Sequence, residues 1–210
     1  MNRILLVDDH PVVRRGIRQI LIDGIDRVTV GEAADATQAL ATIKTGEWEI
    51  VVLDLTLPGV SGLDLLKEIR RSHPTLPVLV LSMHPAAQFA RRVLSAGASG
   101  YLNKDSAPTE LIAAIQQLRQ GRQYQGRGAA ADLSGQTLAS GKAPHDLLSD
   151  REYQVLRMLG SGRTVSEIAS ALALSVKTIS TYRTRLLMKL QMRGNAELMR
   201  YAIENGLADP

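Results

Sequence analysis

The chain has 210 residues, of which 45% are hydrophobic and 3% aromatic, a length that favours two modest domains packed from Leu, Ile, Val and Ala rather than from rings. It has no cysteine, which excludes a disulfide framework and any thiolate zinc site. No apolar run approaches the ~18 residues a membrane-spanning helix needs, and the first residues read as a short strand leading to acids rather than as a signal peptide, so a cytoplasmic protein with no membrane role is expected. The formal net charge of +4 and pI near 9.6 hint at a polyanionic partner. Residues 1–125 carry 14 Lys+Arg against 13 Asp+Glu and residues 147–210 carry 9 against 6, so most of the excess lies near the C-terminus.

Ile4–Val7 reads as a buried strand, and Pro11 then opens a helix with Val13, Ile17, Ile20 and Leu21 at helical spacing. Val28–Val30 gives a second strand, followed by a helix carrying Ala36, Leu40 and Ile43 that Gly46 stops. The alternation continues through strand Ile50–Leu53 and a helix with Leu63, Leu66 and Ile69, then strand Val78–Leu81 and a helix with Phe89, Val93 and Leu94. Tyr101-Leu102 and a helix with Leu111, Ile112, Ile115 and Leu118 complete five βα units by Gly121. Such alternation predicts a parallel, doubly wound, flavodoxin-like sheet with right-handed crossovers, because helices must cover both faces.

That topology gathers Asp8, Asp9, Asp54, Ser82 and Lys104 at the carboxyl ends of the strands, where ligands bind in open α/β sheets. Asp54 ends the apolar run Ile50–Leu53, and a carboxylate buried there without a partner costs several kcal/mol. Three clustered acids repel one another unless a hard cation sits among them, and oxygen ligands with open water positions suit Mg²⁺. Lys104 adds a fixed cation and Ser82 a hydroxyl, so the edge suits a phosphoryl group carried on the Asp54 carboxylate. His10, His73, His84 and His145 are scattered, mostly beside prolines, and read as surface or capping residues, with His10 following the acid pair.

Through VDDH (Val7–His10), LDLTLPGVSG (Leu53–Gly62), LSM (Leu81–Met83) and AGASGYLNK (Ala96–Lys104), residues 1–122 resemble the receiver domain of bacterial two-component response regulators. The resemblance implies that Asp54 accepts phosphate from a sensor histidine kinase and that Asp9, Asp54 and the Thr56 carbonyl bind Mg²⁺ with Asp8 acting through water. It also implies that Lys104 contacts the phosphoryl group, that Ser82 moves toward it, and that Tyr101 turns from an outward to an inward rotamer. Asn103 stands where such domains usually have a hydrophobic residue.

Residues 123–146, rich in Gly, Ala, Ser and Gln, read as a flexible linker with one short helix around Ala129–Leu133. Beyond it the helical blocks Asp150–Leu159, Val165–Ala171, Val176–Leu190 and Ala196–Asn205 predict a four-helix domain over 147–210, with Ser149 and Glu152 as a capping box. The second and third blocks stand at helix-turn-helix spacing. On the third, Ile179, Tyr182, Leu186 and Leu190 share one side, and Lys177, Ser180, Thr181, Thr184 and Arg185 the other. Four bases and no acid between Lys177 and Lys189, with short hydroxylated side chains, suit a major groove.

Residues Leu148–Leu190 resemble the LuxR/NarL-type DNA-binding domain. That resemblance implies that Ser180, Thr181 and Thr184 face bases, that Lys177, Arg185 and Lys189 reach phosphates, and that the last helix is available for dimer contacts. The whole then reads as a transcription regulator, not an enzyme, whose phosphorylation produces a homodimer on paired half-sites. A regulator with an unused acidic pocket stays open beside it, as does an aspartyl-phosphate phosphohydrolase, although Thr56 stands where that class places its second aspartate.

Overall fold

The computed structural model describes residues 2–57, 60–82, 86–126 and 144–208, in two compact units spanning 1–138 and 139–210. In the first, strands β1 (Asn2–Val7), β2 (Val28–Ala33), β3 (Ile50–Asp54), β4 (Val78–Ser82), β5 (Gly100–Asn103) and β6 (Tyr124–Gln125) form one parallel sheet in the order β2-β1-β3-β4-β5-β6. Its helices are α1 (Pro11–Gly24), α2 (Ala36–Thr45), α3 (Gly62–Ser72), α4 (Ala86–Ser95) and α5 (Ala107–Arg119).

Successive strand residues point to opposite faces, so near-continuous apolar strands supply two cores. Leu5, Val7, Val51, Leu53, Val78, Val80 and Tyr101 pack with Ala39, Ile43, Leu66, Ile69 and Val93 on the side of α2, α3 and α4. Ile4, Leu6, Ile50, Val52, Leu79, Leu81 and Leu102 pack with Ile17, Leu21, Leu111 and Ile115 on the side of α1 and α5. The strand order reverses between β1 and β3, which opens a crevice at their carboxyl ends, and Asp8 and Asp54 stand there.

The sixth strand corrects the expected start of the linker at 123. Tyr124 N–H donates to the Ser99 carbonyl at 3.0 Å and Gly126 N–H to that of Tyr101 at 3.1 Å, while the Tyr124 hydroxyl donates to Glu110 at 2.6 Å. Gly100 makes room, since a Cβ there would lie 2.9 Å from the Tyr124 carbonyl oxygen. The helix expected around Ala129–Leu133 lies outside the described residues.

The second unit contains α6 (Asp150–Gly160), α7 (Val165–Ala171), α8 (Val176–Lys189) and α9 (Asn195–Glu204), after a 3-10 turn over Pro144–Leu147. The Ser149–Glu152 capping box is present, and Thr164 with Glu167 makes a second one at the start of α7. Ala173, with φ 52°, turns the chain between α7 and α8, where Ser175 caps α8 by accepting from Thr178 N–H. Val155, Leu156, Ile168, Ile179, Leu186, Leu198 and Leu207 form the core, and the buried Arg157 donates through Nε to the Leu207 carbonyl at 2.9 Å.

One glycine ties the fold to the crevice. Gly62 N–H donates to the Leu55 carbonyl at 3.0 Å, and a Cβ on Gly62 would stand 2.5 Å from Leu55 Cα and closer still to the Asp54 carbonyl. Backbone cannot step aside as a flexible side chain can, so Gly62→Ala is expected to destabilise the first unit by about 1–3 kcal/mol. Urea denaturation checks this, and an unchanged midpoint contradicts it.

Candidate functional site

The crevice holds a cation between two carboxylates. Lys104 Nζ lies 2.8 Å from Asp8 Oδ2 and 2.8 Å from Asp54 Oδ2, with side-chain exposures of 8%, 1% and 2% for the three residues. Asp54 Oδ1 accepts the Thr56 N–H at 3.1 Å and Asp8 Oδ1 the His10 N–H at 2.7 Å, so every oxygen of the two buried acids has a partner. Burial lifts the Asp54 carboxyl above its ordinary pKa, and the opposing pull of Lys104 and the Thr56 N–H does not cancel it. Burial also works against the Lys104 ammonium, but Asp54 and then Asp8 outweigh it and hold its pKa above the ordinary lysine value.

Asp9 is placed differently. Its Oδ1 is 2.7 Å from His10 Nδ1 yet makes no hydrogen bond, although it is a buried atom. Asp8, Asp9, His10 and Asp54 can each bring one donor atom within 4.8 Å of the others. His10 is the exposed N-cap residue of α1, as its sequence position suggested, and its ring also stands beside the acid cluster. The clustered carboxylate oxygens of Asp8, Asp9 and Asp54 fit the donor set of a hard divalent cation.

Ser82 is buried at the end of β4, one residue past Leu81, which pairs with Asp54. Tyr101 is fully buried in the core beside α4 and pairs with Val80, so it already occupies the inward position. Asn103 caps the 3-10 turn Lys104–Ser106 by accepting the Asp105 N–H at 2.8 Å, which gives the departure from a hydrophobic residue a local use in positioning Lys104. Among the other histidines, His73 ends α3 by donating its backbone N–H to the Ile69 carbonyl, and His84 lies outside the described residues. His145 is half-buried with Nδ1 2.8 Å from the Tyr201 hydroxyl, an internal contact rather than a surface role.

In the second unit α8 buries Ile179, Leu186 and Leu190, half-buries Tyr182 and exposes Lys177, Thr181, Thr184 and Arg185, with Ser180 half-buried. The Thr181 and Thr184 hydroxyls donate to the carbonyls of Lys177 and Ser180, each at 3.0 Å, which leaves their lone pairs and methyls facing out. Lys189, expected to reach a phosphate, lies with its ammonium 2.7 Å from Glu152 Oε2 and its side chain 42% exposed. Glu152 is buried, which raises its carboxyl, but Lys189 and the two bonds from Ser149 hold it below the ordinary glutamate value.

Comparison with known proteins gives two matching family models, the response regulator receiver domain over residues 4–116 and the bacterial regulatory proteins of the luxR family over 146–202. The response regulator UvrY of Escherichia coli K12 is 37% identical over 215 aligned residues, covering 100% of this chain and 97% of that protein. RcsB from Salmonella enterica serovar Typhimurium, in a structure bound to promoter rprA in the presence of phosphomimetic BeF3⁻, superposes with a TM-score of 0.66 at 32% identity over 96% of this chain and 98% of that one. A structure of two RcsB dimers bound to two parallel DNAs gives 0.60 at 32% identity over the same shares.

Lys104→Met leaves two buried carboxylates side by side without their cation. It should cost about 3–5 kcal/mol of stability at pH 7 in EDTA, the usual penalty for breaking a buried pair. The Asp54 carboxyl, already lifted by burial, then loses the opposing pull of Lys104 and titrates higher still in the folded chain, so the mutant binds extra protons when folded and its deficit grows as pH rises above the ordinary aspartate range and shrinks toward pH 4. Denaturation of both proteins across pH 4–8 checks this, and a deficit independent of pH contradicts it.

Proposed function

The chain belongs to the two-component response regulators that join a receiver domain to a luxR-family domain, and we propose that phosphorylation of Asp54 by a sensor histidine kinase controls its binding, as a homodimer, to paired DNA half-sites. The observation that carries this reading is the Lys104 ammonium held 2.8 Å from both Asp8 and Asp54 in a nearly dry pocket. The family is one of transcription regulators rather than enzymes, which overturns the phosphohydrolase alternative. No helix among the described residues is long and apolar enough to cross a membrane, and the match to the luxR-family DNA-binding domain supports our assignment of the protein to the cytoplasm.

In the proposed transfer, a carboxylate oxygen of Asp54 attacks the phosphorus of a phosphohistidine. An O–P bond forms, the N–P bond breaks, and the departing imidazole takes a proton from solvent. Desolvation keeps the Asp54 carboxylate basic and therefore nucleophilic, and Lys104 shifts its ammonium from that carboxylate to an oxygen of the incoming group. Asp9, Asp54 and the Thr56 carbonyl are the ligands we assign to Mg²⁺, with Asp8 acting through water because its own oxygens already serve His10 and Lys104. Bound there, Mg²⁺ supplies neutralisation of charge on the phosphoryl oxygens. Ser82 turns its hydroxyl to the new oxygen, and since Tyr101 is already inward, phosphorylation secures that position rather than creating it.

On DNA, Ser180, Thr181 and Thr184 are the residues we assign to base edges, and Lys177 and Arg185 to phosphates at the margins of α8. RcsB dimers bound to DNA support the paired arrangement, in which the second half-site is met at a raised effective concentration. Lys189, paired with Glu152, is assigned to bracing α8 against α6.

Two experiments test the two halves. Asp54→Asn nearly conserves volume and removes the nucleophile, so intact-mass measurement after acetyl phosphate and Mg²⁺ should show a phosphoryl adduct on the parent chain and none on the variant. Full labelling of the variant elsewhere sinks the assignment. For DNA, Lys177→Ala should weaken binding to all sequences and lower the salt slope by about one, while Thr181→Ala changes preference among duplexes at unchanged slope. Lys189→Ala, by contrast, should lower the melting temperature of the second unit and leave the slope of the folded protein unchanged. If Lys189→Ala reduces the slope as Lys177→Ala does, the bracing role is wrong.

A further inference from the structure

Met188 is 66% exposed, one of few large apolar side chains that the second unit leaves in water. A single exposed apolar residue is ordinary and by itself implies nothing. Its position is what matters. At about 100° per residue Met188 lies about 40° around α8 from Thr184 and about 20° from Thr181 and from Lys177. Positions 177, 181, 184 and 188 thus form one stripe at spacings of four, three and four, opposite the buried Ile179, Leu186 and Leu190. The other three members of that stripe are a lysine and two threonines whose hydroxyl hydrogens are bonded to the helix backbone.

We propose that Met188 is a further specificity-determining residue, which reads the 5-methyl group of a thymine in the major groove. The inference rests on the reading of α8 as the recognition helix. Of the four bases only thymine carries a methyl in that groove, and apolar side chains recognise it by contact. The thioether is long, unbranched and polarisable, and it adapts to such a contact better than a β-branched residue would. Side-chain length along the stripe fits a helix that leaves the groove floor toward its C-terminal end. Short Thr181 and Thr184 let the backbone come close near the middle, and a long Met188 bridges the wider gap near the end. From Thr184 to Met188 the axial rise is about 6 Å, or roughly two base-pair steps at 3.4 Å each. The thymine therefore lies about two steps from the base pair that Thr184 meets. A polar solvated residue would serve the fold equally well at this place, so neither packing nor capping accounts for methionine there.

The experiment is a cycle between two methyl-scale deletions, made on the full chain after acetyl phosphate treatment. High-affinity duplexes are first selected from a randomised pool with the parent protein. Each thymine of a selected half-site is then replaced singly by uracil, which removes only the methyl. The parent protein should lose about fourfold in affinity at one thymine per half-site, the factor that about 0.8 kcal/mol for one buried methyl group gives. That thymine should lie about two base pairs from the position at which Thr184→Ala changes preference. Met188→Ala should bind the thymine duplex about as weakly as the parent binds the uracil duplex and should no longer distinguish the two, while Met188→Leu keeps the distinction. Thermal melts should agree between the parent and both variants, since the side chain is exposed. Retained discrimination by Met188→Ala at every thymine overturns the proposal, as does equal weakening on selected and scrambled duplexes. A dimer lost on sedimentation in Met188→Ala overturns it too, because the residue then serves contact with a second copy. A parent protein that selects no sequence at all removes the DNA-reading role of α8 and this inference with it, an outcome distinct from the others.

Discussion

The Lys104 bridge between Asp8 and Asp54 is the constraint on which the first unit depends. At 2.8 Å and an effective dielectric near 20, each of the two attractions is worth about 6 kcal/mol gross. Several kcal/mol of desolvation per ion and the mutual repulsion of the carboxylates take back most of that. The arrangement is therefore near balance with all three charges present, and loss of the lysine leaves two buried carboxylates uncompensated. A pocket so poised responds to a new charged group at Asp54, because the lysine has somewhere better to go.

Topology makes the bridge possible. Along the sheet β4 lies between β3 and β5, so the ends that carry Asp54 and Lys104 are two strand spacings apart, about 9–10 Å. A long linear side chain reaching past the end of β4 spans that gap, and β4 ends in the small Ser82. Pleat alternation then separates the functions of neighbouring residues. Asp54 shares its face with Ile50 and Val52, toward α1 and α5, whereas Ser82 shares its face with Val80 and with Tyr101, the partner of Val80, toward α4. A hydroxyl drawn toward a group on Asp54 is thus anchored on the opposite layer of the fold, next to the tyrosine. Under the proposed function, an event at Asp54 would thus reach the α4 side without passing through the α1 and α5 side.

Sequence reading succeeded wherever the information was local or periodic. The apolar run ending in Asp54, the strands that alternate with helices, the Ser149–Glu152 capping box and the two faces of α8 are all properties of short windows, and each is present in the structure. It fell short where a partner lies far along the chain. Lys189 looks like one more base on a polar face until Glu152, 37 residues away, is seen beneath it. The strand Tyr124–Gln125 has only two residues and no periodicity of its own, and its evidence is the fit against Gly100. His145 reads as a loop histidine beside Pro144, yet Tyr201 receives it 56 residues later. Met188 does not figure in the sequence reading of the polar face, because an apolar residue stands out there only by its exposure, which spacing does not report.

The chemistry of α8 bears on the proposal that the chain acts in pairs. The two threonine hydroxyl hydrogens are committed to backbone carbonyls, so these residues offer a base only acceptor lone pairs and methyl contacts. Neither is the bidentate donor fork that makes one side chain discriminate strongly at one base pair. With Lys189 held by Glu152, the cations of the proposed interface reduce to a few at its margins, and salt weakens each of them. A single copy then has modest affinity and modest discrimination. Joining two copies raises both, since each half-site mismatch is read twice and the second helix binds from a tethered state. Under the proposed function, control of assembly at Asp54 would act on the quantity to which a weakly discriminating reader is most sensitive, without any change in the recognition helix itself.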